Sequence, residues 1–130
     1  MKNNSFQVLI VDDEADLCEI LSSSLTNLGF DCKTALNGEE ALELIKNHEF
    51  HALLTDYHMP KISGIELISK VKNDFPNMFC VIMMTDASEE EIKSVQSHGV
   101  DRIISKPFDL DDIDNLFDNF RNEKLKASAI

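Results

Sequence analysis

The chain has 130 residues, of which 43% are apolar, so it is long enough for one domain with a sizeable core. It carries 24 acidic and 12 basic residues, a formal charge of −12. This charge argues against binding nucleic acid or an anionic membrane surface, because phosphate contacts need a basic face. No run approaches the roughly 18 consecutive apolar residues of a membrane helix. The first residues, MKNNSFQ, contain no apolar signal region.

The cysteines are Cys18, Cys32 and Cys80, and none of them forms a CxxC pair. Their odd number and their spacing argue against a disulfide framework or a zinc site. We interpret them as reduced thiols, packed as small apolar groups. Together with the missing signal region, they favour a cytoplasmic protein.

The first predicted element is a strand at Val8–Val11, a short and uniformly apolar run typical of a strand buried on both faces. Apolar residues then follow helical spacing over Leu17–Leu28, and Gly29 ends that helix. The run Cys32–Leu36 contains polar residues and predicts an edge strand. Asn37 is a good N-cap for a second helix.

Three further buried strands are predicted at Ala52–Leu54, Val81–Met84 and Ile103–Ile104. Between them, Ser63 and Ser88 are each followed three residues later by a glutamate. This spacing is the capping box that begins a helix. The sequence therefore predicts a third and a fourth helix that begin after these serines.

The last apolar stripe at helical spacing lies over Leu110–Phe120 and predicts a fifth helix. Strand and helix thus alternate five times, which predicts an α/β fold with a parallel sheet, helices on both faces and right-handed crossovers. We assign residues 1–122 to this domain. Residues 123–130 are interpreted as a short polar C-terminal tail.

Polar residues follow each buried strand at its carboxyl end: Asp12 and Asp13, then Thr55 and Asp56, then Thr85, and finally Ser105 and Lys106. Each of them, taken alone, is an ordinary residue for a turn or a helix start. In a parallel sheet, however, all these ends lie at one edge, where open α/β sheets bind ligands. Their joint placement therefore predicts a functional site.

Such a site would hold three carboxylates, Asp12, Asp13 and Asp56, against the one ammonium of Lys106. Two like charges about 5 Å apart repel by roughly 3 kcal/mol at an effective dielectric near 20. A hard divalent cation would offset much of this repulsion, which predicts a Mg²⁺ or Mn²⁺ site. The space beside Lys106 and Thr85 suits a phosphoryl group, with Asp56 as the nucleophile.

Four separated motifs, LIVDDE, LLTDYHMPKISGIEL, VIMMTDAS and ISKPF, resemble those of the receiver domains of two-component response regulators. The resemblance covers nearly the whole chain, in the family's order and spacing. It implies a flavodoxin-like, doubly wound fold, with five helices around a five-stranded parallel sheet of order 2-1-3-4-5. It also implies either a single-domain receiver of the chemotaxis or phosphorelay kind or a portion of a longer regulator.

The resemblance further implies roles for individual residues. Asp56 would be the phosphoacceptor. Asp13 and Asp56 would bind Mg²⁺ directly, together with the backbone carbonyl of His58. Asp12 would act on the metal largely through bound water.

Lys106 would pair with the phosphoryl group, Thr85 would move to hydrogen-bond it, and the bond between Lys106 and Pro107 resembles the family's cis peptide. Two positions depart from the family's usual pattern. Asp86 follows Thr85 where a small residue is usual, and Ile103 occupies a position that is often aromatic.

The leading hypothesis is a phosphoaccepting signalling switch, not classed as an enzyme, that helps to catalyse its own phosphorylation and dephosphorylation. Its partners would be a histidine kinase or histidine phosphotransfer protein and an unknown downstream target protein. The alternative, motivated by Asp86 and Ile103, is a receiver-like interaction module that is not phosphorylated. A phosphohydrolase with an aspartate nucleophile ranks below both, because the motif around Asp56 lacks a second aspartate as general acid.

Overall fold

The computed structural model describes residues 6–128. Five strands and five helices alternate along these residues, as predicted. The strands are β1 Gln7–Val11, β2 Asp31–Ala35, β3 Ala52–Asp56, β4 Phe79–Thr85 and β5 Arg102–Lys106. The helices are α1 Ala15–Asn27, α2 Gly38–Asn47, α3 Gly64–Asp74, α4 Glu89–Ser97 and α5 Leu110–Ser128.

The strands form one parallel sheet in the order β2-β1-β3-β4-β5, which confirms the predicted topology. β1, β3 and β4 are central and almost wholly buried, because helices cover both faces of the sheet. β2 lies at one edge, where its polar residues are exposed. The expectation of a polar edge strand is therefore confirmed.

The core has two halves, one on each face of the sheet. One half packs α2, α3 and α4 on the sheet through residues such as Ile45, Leu67 and Val95. The other half packs α1 and α5 through residues such as Leu21 and Phe117. This division leaves both ends of the strands outside the packed layers, where polar residues collect.

The predicted helix caps are present at α2, α3 and α4. The Asn37 side chain accepts a hydrogen bond from the Glu40 amide at 2.8 Å. Ser63 and Ser88 each form a complete capping box with the glutamate three residues later. At α1 the N-cap residue is Glu14, whose amide donates to Asp12 Oδ1 at 2.9 Å.

The last helix is longer than the sequence indicated. α5 continues to Ser128, so residues 123–128 extend the helix where a polar tail was expected. Within α5, Arg121 donates to the carbonyl of Leu28, the C-cap residue of α1. Residues 1–5 and 129–130 of the predicted domain and tail lie outside the described residues, and the boundary at residue 122 stays a prediction.

Within residues 6–128, no helix combines the length and the apolar character needed to cross a bilayer.

Candidate functional site

The carboxyl ends of β1, β3 and β5 bring the predicted site residues together. β1 and β3 are neighbours, with Val11 paired to Thr55, so Asp12 and Asp56 follow paired residues on adjacent strands. β4 lies on the other side of β3, and its last residue, Thr85, pairs with Lys106 on β5. Parallel strand direction thus places residues from distant parts of the chain at one edge.

Asp12, Asp13 and Asp56 form one cluster, in which a carboxylate oxygen of each residue lies within 4.8 Å of the others. Asp12 is fully buried and Asp56 is 8% exposed. Asp13 is exposed and forms the solvent side of the cluster. The predicted convergence of the three carboxylates is therefore present in the structure.

Lys106 bridges two of these carboxylates. Its Nζ lies 3.0 Å from Asp12 Oδ2 and 3.1 Å from Asp56 Oδ1. The single ammonium faces three carboxylates, so two negative charges remain uncompensated in this part of the molecule. The sequence placed Lys106 beside the carboxylates, but its double ion pair was visible only in the structure.

Burial and charge shift the pKa values at this site. Burial raises the pKa of Asp56 above its ordinary value, Lys106 opposes that rise, and the charges of Asp12 and Asp13 add to it. Burial alone would lower the pKa of Lys106. Hydrogen bonds and charge interactions with Asp12 and Asp56 outweigh it, so that the pKa of Lys106 is raised. The ammonium is therefore held in its charged form, and the excess negative charge falls on the carboxylates.

The donor set fits a hard divalent cation. Mg²⁺ prefers oxygen ligands and retains several waters, and the exposed side of Asp13 leaves room for them. A cation among the three carboxylates would balance the two excess negative charges. Asp12, Asp13 and Asp56 are thus the side chains that would hold it.

The structure places His58, the other predicted ligand residue, in the loop after β3. Its ring is exposed and packs edge-on against Tyr57, with ring centroids 4.6 Å apart. The role of its backbone carbonyl as a metal ligand stays a prediction. Thr85 is exposed at the end of β4, and its movement toward a phosphoryl group also stays a prediction.

The two unusual positions near the site differ in exposure. Asp86 is exposed, and its φ of 49° lies in the left-handed region, which aspartate tolerates better than most residues. Ile103 is half-buried against the core on the side of α4. The peptide bond between Lys106 and Pro107 is cis, as the resemblance implied.

Sequence reasoning missed Gly64, the first residue of α3, which packs directly on the backbone of Asp56. A signal was present, since glycine lacks a Cβ atom and so allows another segment of backbone to approach closely. A glycine also begins α2, at Gly38. The sequence alone does not say which of these two glycines lies against the site.

Comparison with known proteins decides the family. The model of the response regulator receiver domain matches residues 8–118, which is most of the chain. The chain belongs to the response regulator receiver domain family. Receiver domains are signalling phosphoacceptors of two-component systems, and they bind Mg²⁺ through an acidic pocket, to which the cluster of three aspartates corresponds.

Curated relatives of this receiver domain include chemotaxis proteins and transcriptional regulators. It is 34% identical over 106 residues to a chemotaxis protein CheY homolog of Campylobacter jejuni, covering 78% of this chain and 82% of the relative. It is 30% identical to the transcriptional regulatory protein CrdR of Helicobacter pylori, covering 90% of this chain but only 55% of that protein. The sequence therefore spans most of one relative and about half of the other.

Solved structures agree on the fold. A CheY-like receiver domain protein from Methanospirillum hungatei superposes with a TM-score of 0.89 at 27% identity, covering 95% of this chain and 99% of that one. Chemotaxis protein CheY4 of Vibrio cholerae has a TM-score of 0.84 at 24% identity, covering 88% and 98%. The likeness to the second structure concerns the fold alone.

Proposed function

We propose that this receiver domain is a Mg²⁺-dependent switch that accepts a phosphoryl group on Asp56 from a histidine kinase or a histidine phosphotransfer protein. The observation that supports the proposal best is the double ion pair of Lys106. It places an ammonium 3.1 Å from the candidate nucleophile and 3.0 Å from its acidic neighbour Asp12. A phosphoryl group bound to Asp56 would meet this ammonium without a large movement of the chain.

In the proposed reaction, a carboxylate oxygen of Asp56 attacks the phosphorus of a phosphohistidine. An O–P bond forms, the P–N bond breaks, and the histidine leaves with the electron pair of that bond. Lys106 contacts Oδ1 of Asp56, which leaves the other carboxylate oxygen for the attack. As the acyl phosphate forms, the Lys106 ammonium exchanges its carboxylate partner for a phosphoryl oxygen.

Mg²⁺, when bound by Asp12, Asp13 and Asp56 and the carbonyl of His58, would supply positive charge against both the carboxylates and the phosphoryl oxygens. Asp13 is the exposed member of the cluster and would exchange solvent for the ion. Asp12 is fully buried, pairs with Lys106 and accepts a hydrogen bond from the Glu14 amide. It would therefore hold the other site residues in position from the buried side.

The output of the switch would start at Thr85. It ends β4 directly opposite Lys106 in register, so its hydroxyl has a short path to a phosphoryl group on the neighbouring strand. A new hydrogen bond there would favour a second packing of α4, β5 and α5, and so change the affinity for a downstream target protein. Such a response is a population shift between two conformations.

We propose that this switch acts in the cytoplasm and binds neither nucleic acid nor a membrane. The three free thiols fit a reducing compartment, and the formal charge of −12 disfavours anionic partners. In this reaction the chain would act as the acceptor of the phosphoryl group and would not be classed as an enzyme. Its own residues, Lys106 above all, would still assist both the gain and the loss of the phosphoryl group.

The test is intact-mass measurement after incubation with Mg²⁺ and acetyl phosphate as a small phosphodonor. We expect the wild type to gain the mass of one phosphoryl group as an acid-stable, base-labile adduct, and Asp56→Asn to gain none. Asp101→Asn, at the end of the sheet where the strands begin, is the matched control and should be labelled like the wild type. Equal labelling of wild type and Asp56→Asn would contradict the proposal.

Asp86 supports a second candidate function, a receiver-like module that binds a partner without phosphorylation. Its exposed carboxylate follows Thr85 directly, where it would repel an incoming phosphoryl group. Asp86→Ala distinguishes the two candidates. If the module is unphosphorylated because of this charge, the variant gains labelling that the wild type lacks. If the wild type is labelled, the second candidate is rejected.

A further inference from the structure

α3 begins directly on the backbone of the candidate phosphoacceptor. A Cβ atom placed on Gly64 would overlap the Asp56 carbonyl oxygen and would lie 2.9 Å from its carbonyl carbon and 3.0 Å from Tyr57 Cα. All three atoms belong to the main chain. Relief of such a contact requires the backbone of β3 or of α3 to move, because no side chain is there to rotate away.

The peptide that Gly64 touches is held from two other sides. The Tyr57 amide donates to the Met83 carbonyl on β4 at 2.9 Å, and the Gly64 amide donates to the Tyr57 carbonyl at 3.0 Å. The capping box of Ser63 and Glu66 fixes the first turn of α3. The end of β3 is therefore held between β4 and the first turn of α3, and no space is left for an added atom on the side of Gly64.

Gly38 provides a comparison within the same molecule. It is also the first residue of a helix, also buried, and also follows a side-chain cap. A Cβ on Gly38 would lie 2.8 Å from Ile62 Cβ, so the added methyl group meets a side chain. Ile62 Cβ is fixed to its own backbone, so the loop around Ile62 must shift to accommodate the methyl group, but this loop does not carry the candidate nucleophile. The Asp56 carbonyl, in contrast, cannot shift without moving the carboxylate attached to the same residue.

We propose that Gly64 is a positioning residue for phosphoryl acceptance: it sets the place of Asp56 relative to Lys106 and to the other two carboxylates. The inference rests on the proposed function of Asp56 and assigns a residue that does not contact the reacting atoms. A single methyl group at position 64 displaces Asp56, which lengthens its contact with Lys106 and spoils the geometry of the three carboxylates. The same methyl group at position 38 presses on Ile62 and not on the backbone of Asp56, so its effect on this geometry is smaller.

The experiment compares Gly64→Ala with Gly38→Ala. Three quantities are measured on each: the melting temperature, the Mg²⁺ dissociation constant from the fluorescence of Tyr57, which is the only tyrosine in a chain without tryptophan, and the rate of labelling by acetyl phosphate. A displacement of about 1 Å can cost a reaction about 100-fold in rate. We expect a loss of this order for Gly64→Ala and a rate within about twofold of wild type for Gly38→Ala.

A purely structural role would lower the melting temperature of both variants and leave the labelling rates of the folded proteins alike. That result overturns the inference while the proposed function stands. Failure of the wild type to be labelled would instead refute the proposed function. In that case the backbone amide ¹H–¹⁵N shifts of Asp56 and Tyr57 still decide the positioning role. They should move in Gly64→Ala but not in Gly38→Ala, and equal shifts in the two variants would reject it.

Should Gly64→Ala not fold, a milder pair replaces it. Ser63→Ala and Asn37→Ala each remove the side chain that caps the same kind of helix start, at α3 and α2. Loosening α3 should slow labelling severalfold because the support of Asp56 is weakened, and loosening α2 should not. Equal labelling rates for Ser63→Ala and Asn37→Ala would reject the inference.

Discussion

The sheet has an amino edge, where its strands begin, and a carboxyl edge, where they end, and each holds a lysine–aspartate ion pair. The two pairs differ in what surrounds them. At the amino edge, Asp101 Oδ2 accepts from Lys72 Nζ and from the Cys80 amide, both at 2.8 Å. One carboxylate thus faces one ammonium and one backbone donor. At the carboxyl edge, Lys106 is shared between Asp12 and Asp56, and a third carboxylate lies nearby.

This difference separates a structural ion pair from the ion pair of the proposed site. The pair at Asp101 joins the start of β4 to β5 and α3. It is balanced in charge, so it needs no further cation. The group around Lys106 has two negative charges in excess, and such an excess is tolerated where a ligand supplies the missing charge. Charge imbalance, more than the presence of charge, is therefore what distinguishes the proposed site from the other end of the sheet.

Removal of the two lysines should have the largest and most unequal effects. Lys106→Met leaves the fully buried Asp12 without its ammonium, and we expect about 3 kcal/mol loss in the free energy of unfolding without metal. Labelling by acetyl phosphate should fall about 100-fold or more, since the cation facing the phosphoryl oxygens is lost. Denaturant unfolding in the presence of a chelator and intact-mass kinetics measure the two effects.

Lys72→Met is the control for that substitution. Lys72 and Asp101 are more exposed as a pair, with side chains 18% and 34% exposed, so the stability loss should be about 1 kcal/mol. The labelling rate should not change. A similar loss of labelling in Lys72→Met would mean that the two edges are not functionally distinct.

Neutralising one aspartate at each edge should change stability in opposite directions. Asp13→Asn removes repulsion from Asp12 and Asp56. The dipole of α1 offsets part of this gain, which leaves a stabilisation of about 0.5–1 kcal/mol without metal. Asp101→Asn weakens charge-assisted hydrogen bonds to Lys72 and the Cys80 amide, and should destabilise by about 1 kcal/mol. Chelator-treated proteins are compared by denaturant unfolding, and a destabilised Asp13→Asn would argue against the charge excess.

The smallest effect is expected at the amino edge, from His51. Its Nδ1 accepts the Gln7 amide at 2.9 Å, which requires an unprotonated nitrogen. Partial burial lowers the pKa of His51, and Lys124 adds to this while Glu49 opposes it. The unfolded state therefore binds the proton more readily, so stability declines slightly as pH falls below the ordinary histidine pKa of about 6.5.

The measurement for His51 is the free energy of unfolding between about pH 7.5 and 5.5, for wild type and His51→Asn. The wild type should lose more stability over this interval than the variant. Identical pH profiles would show that the hydrogen bond to Gln7 does not depend on the protonation of this ring.

Most of the fold followed from patterns that local physics imposes on the sequence. The strands were predicted from short apolar runs, and Ser63 and Ser88 marked two helix starts correctly because a capping box needs only nearby residues. The ends of elements were less predictable. β4 begins at Phe79, two residues before the predicted run, because Phe79 pairs with Ala52 on β3. α5 continues past residue 122.

The composition of the site was predictable, but its internal geometry was not. Parallel strands bring Asp12, Asp56 and Lys106 to one edge whatever the side-chain details are. The sharing of Lys106 between two carboxylates depends on the twist and register of the sheet. The contact of Gly64 with Asp56 depends on how closely α3 approaches β3, and a sequence pattern carries no such distance.

The carboxyl edge of the sheet carries an excess of negative charge, and we propose that a divalent cation balances it. Thermal unfolding with increasing Mg²⁺ would detect this cation, because a ligand of the native state stabilises by about 2.7 kcal/mol at 100 times its dissociation constant. We predict a rising melting temperature for the wild type and for Asp101→Asn, and little change for Asp13→Asn. A wild-type melting temperature that millimolar Mg²⁺ leaves unchanged, or an equal rise in Asp13→Asn, would show that the three carboxylates do not hold a divalent cation.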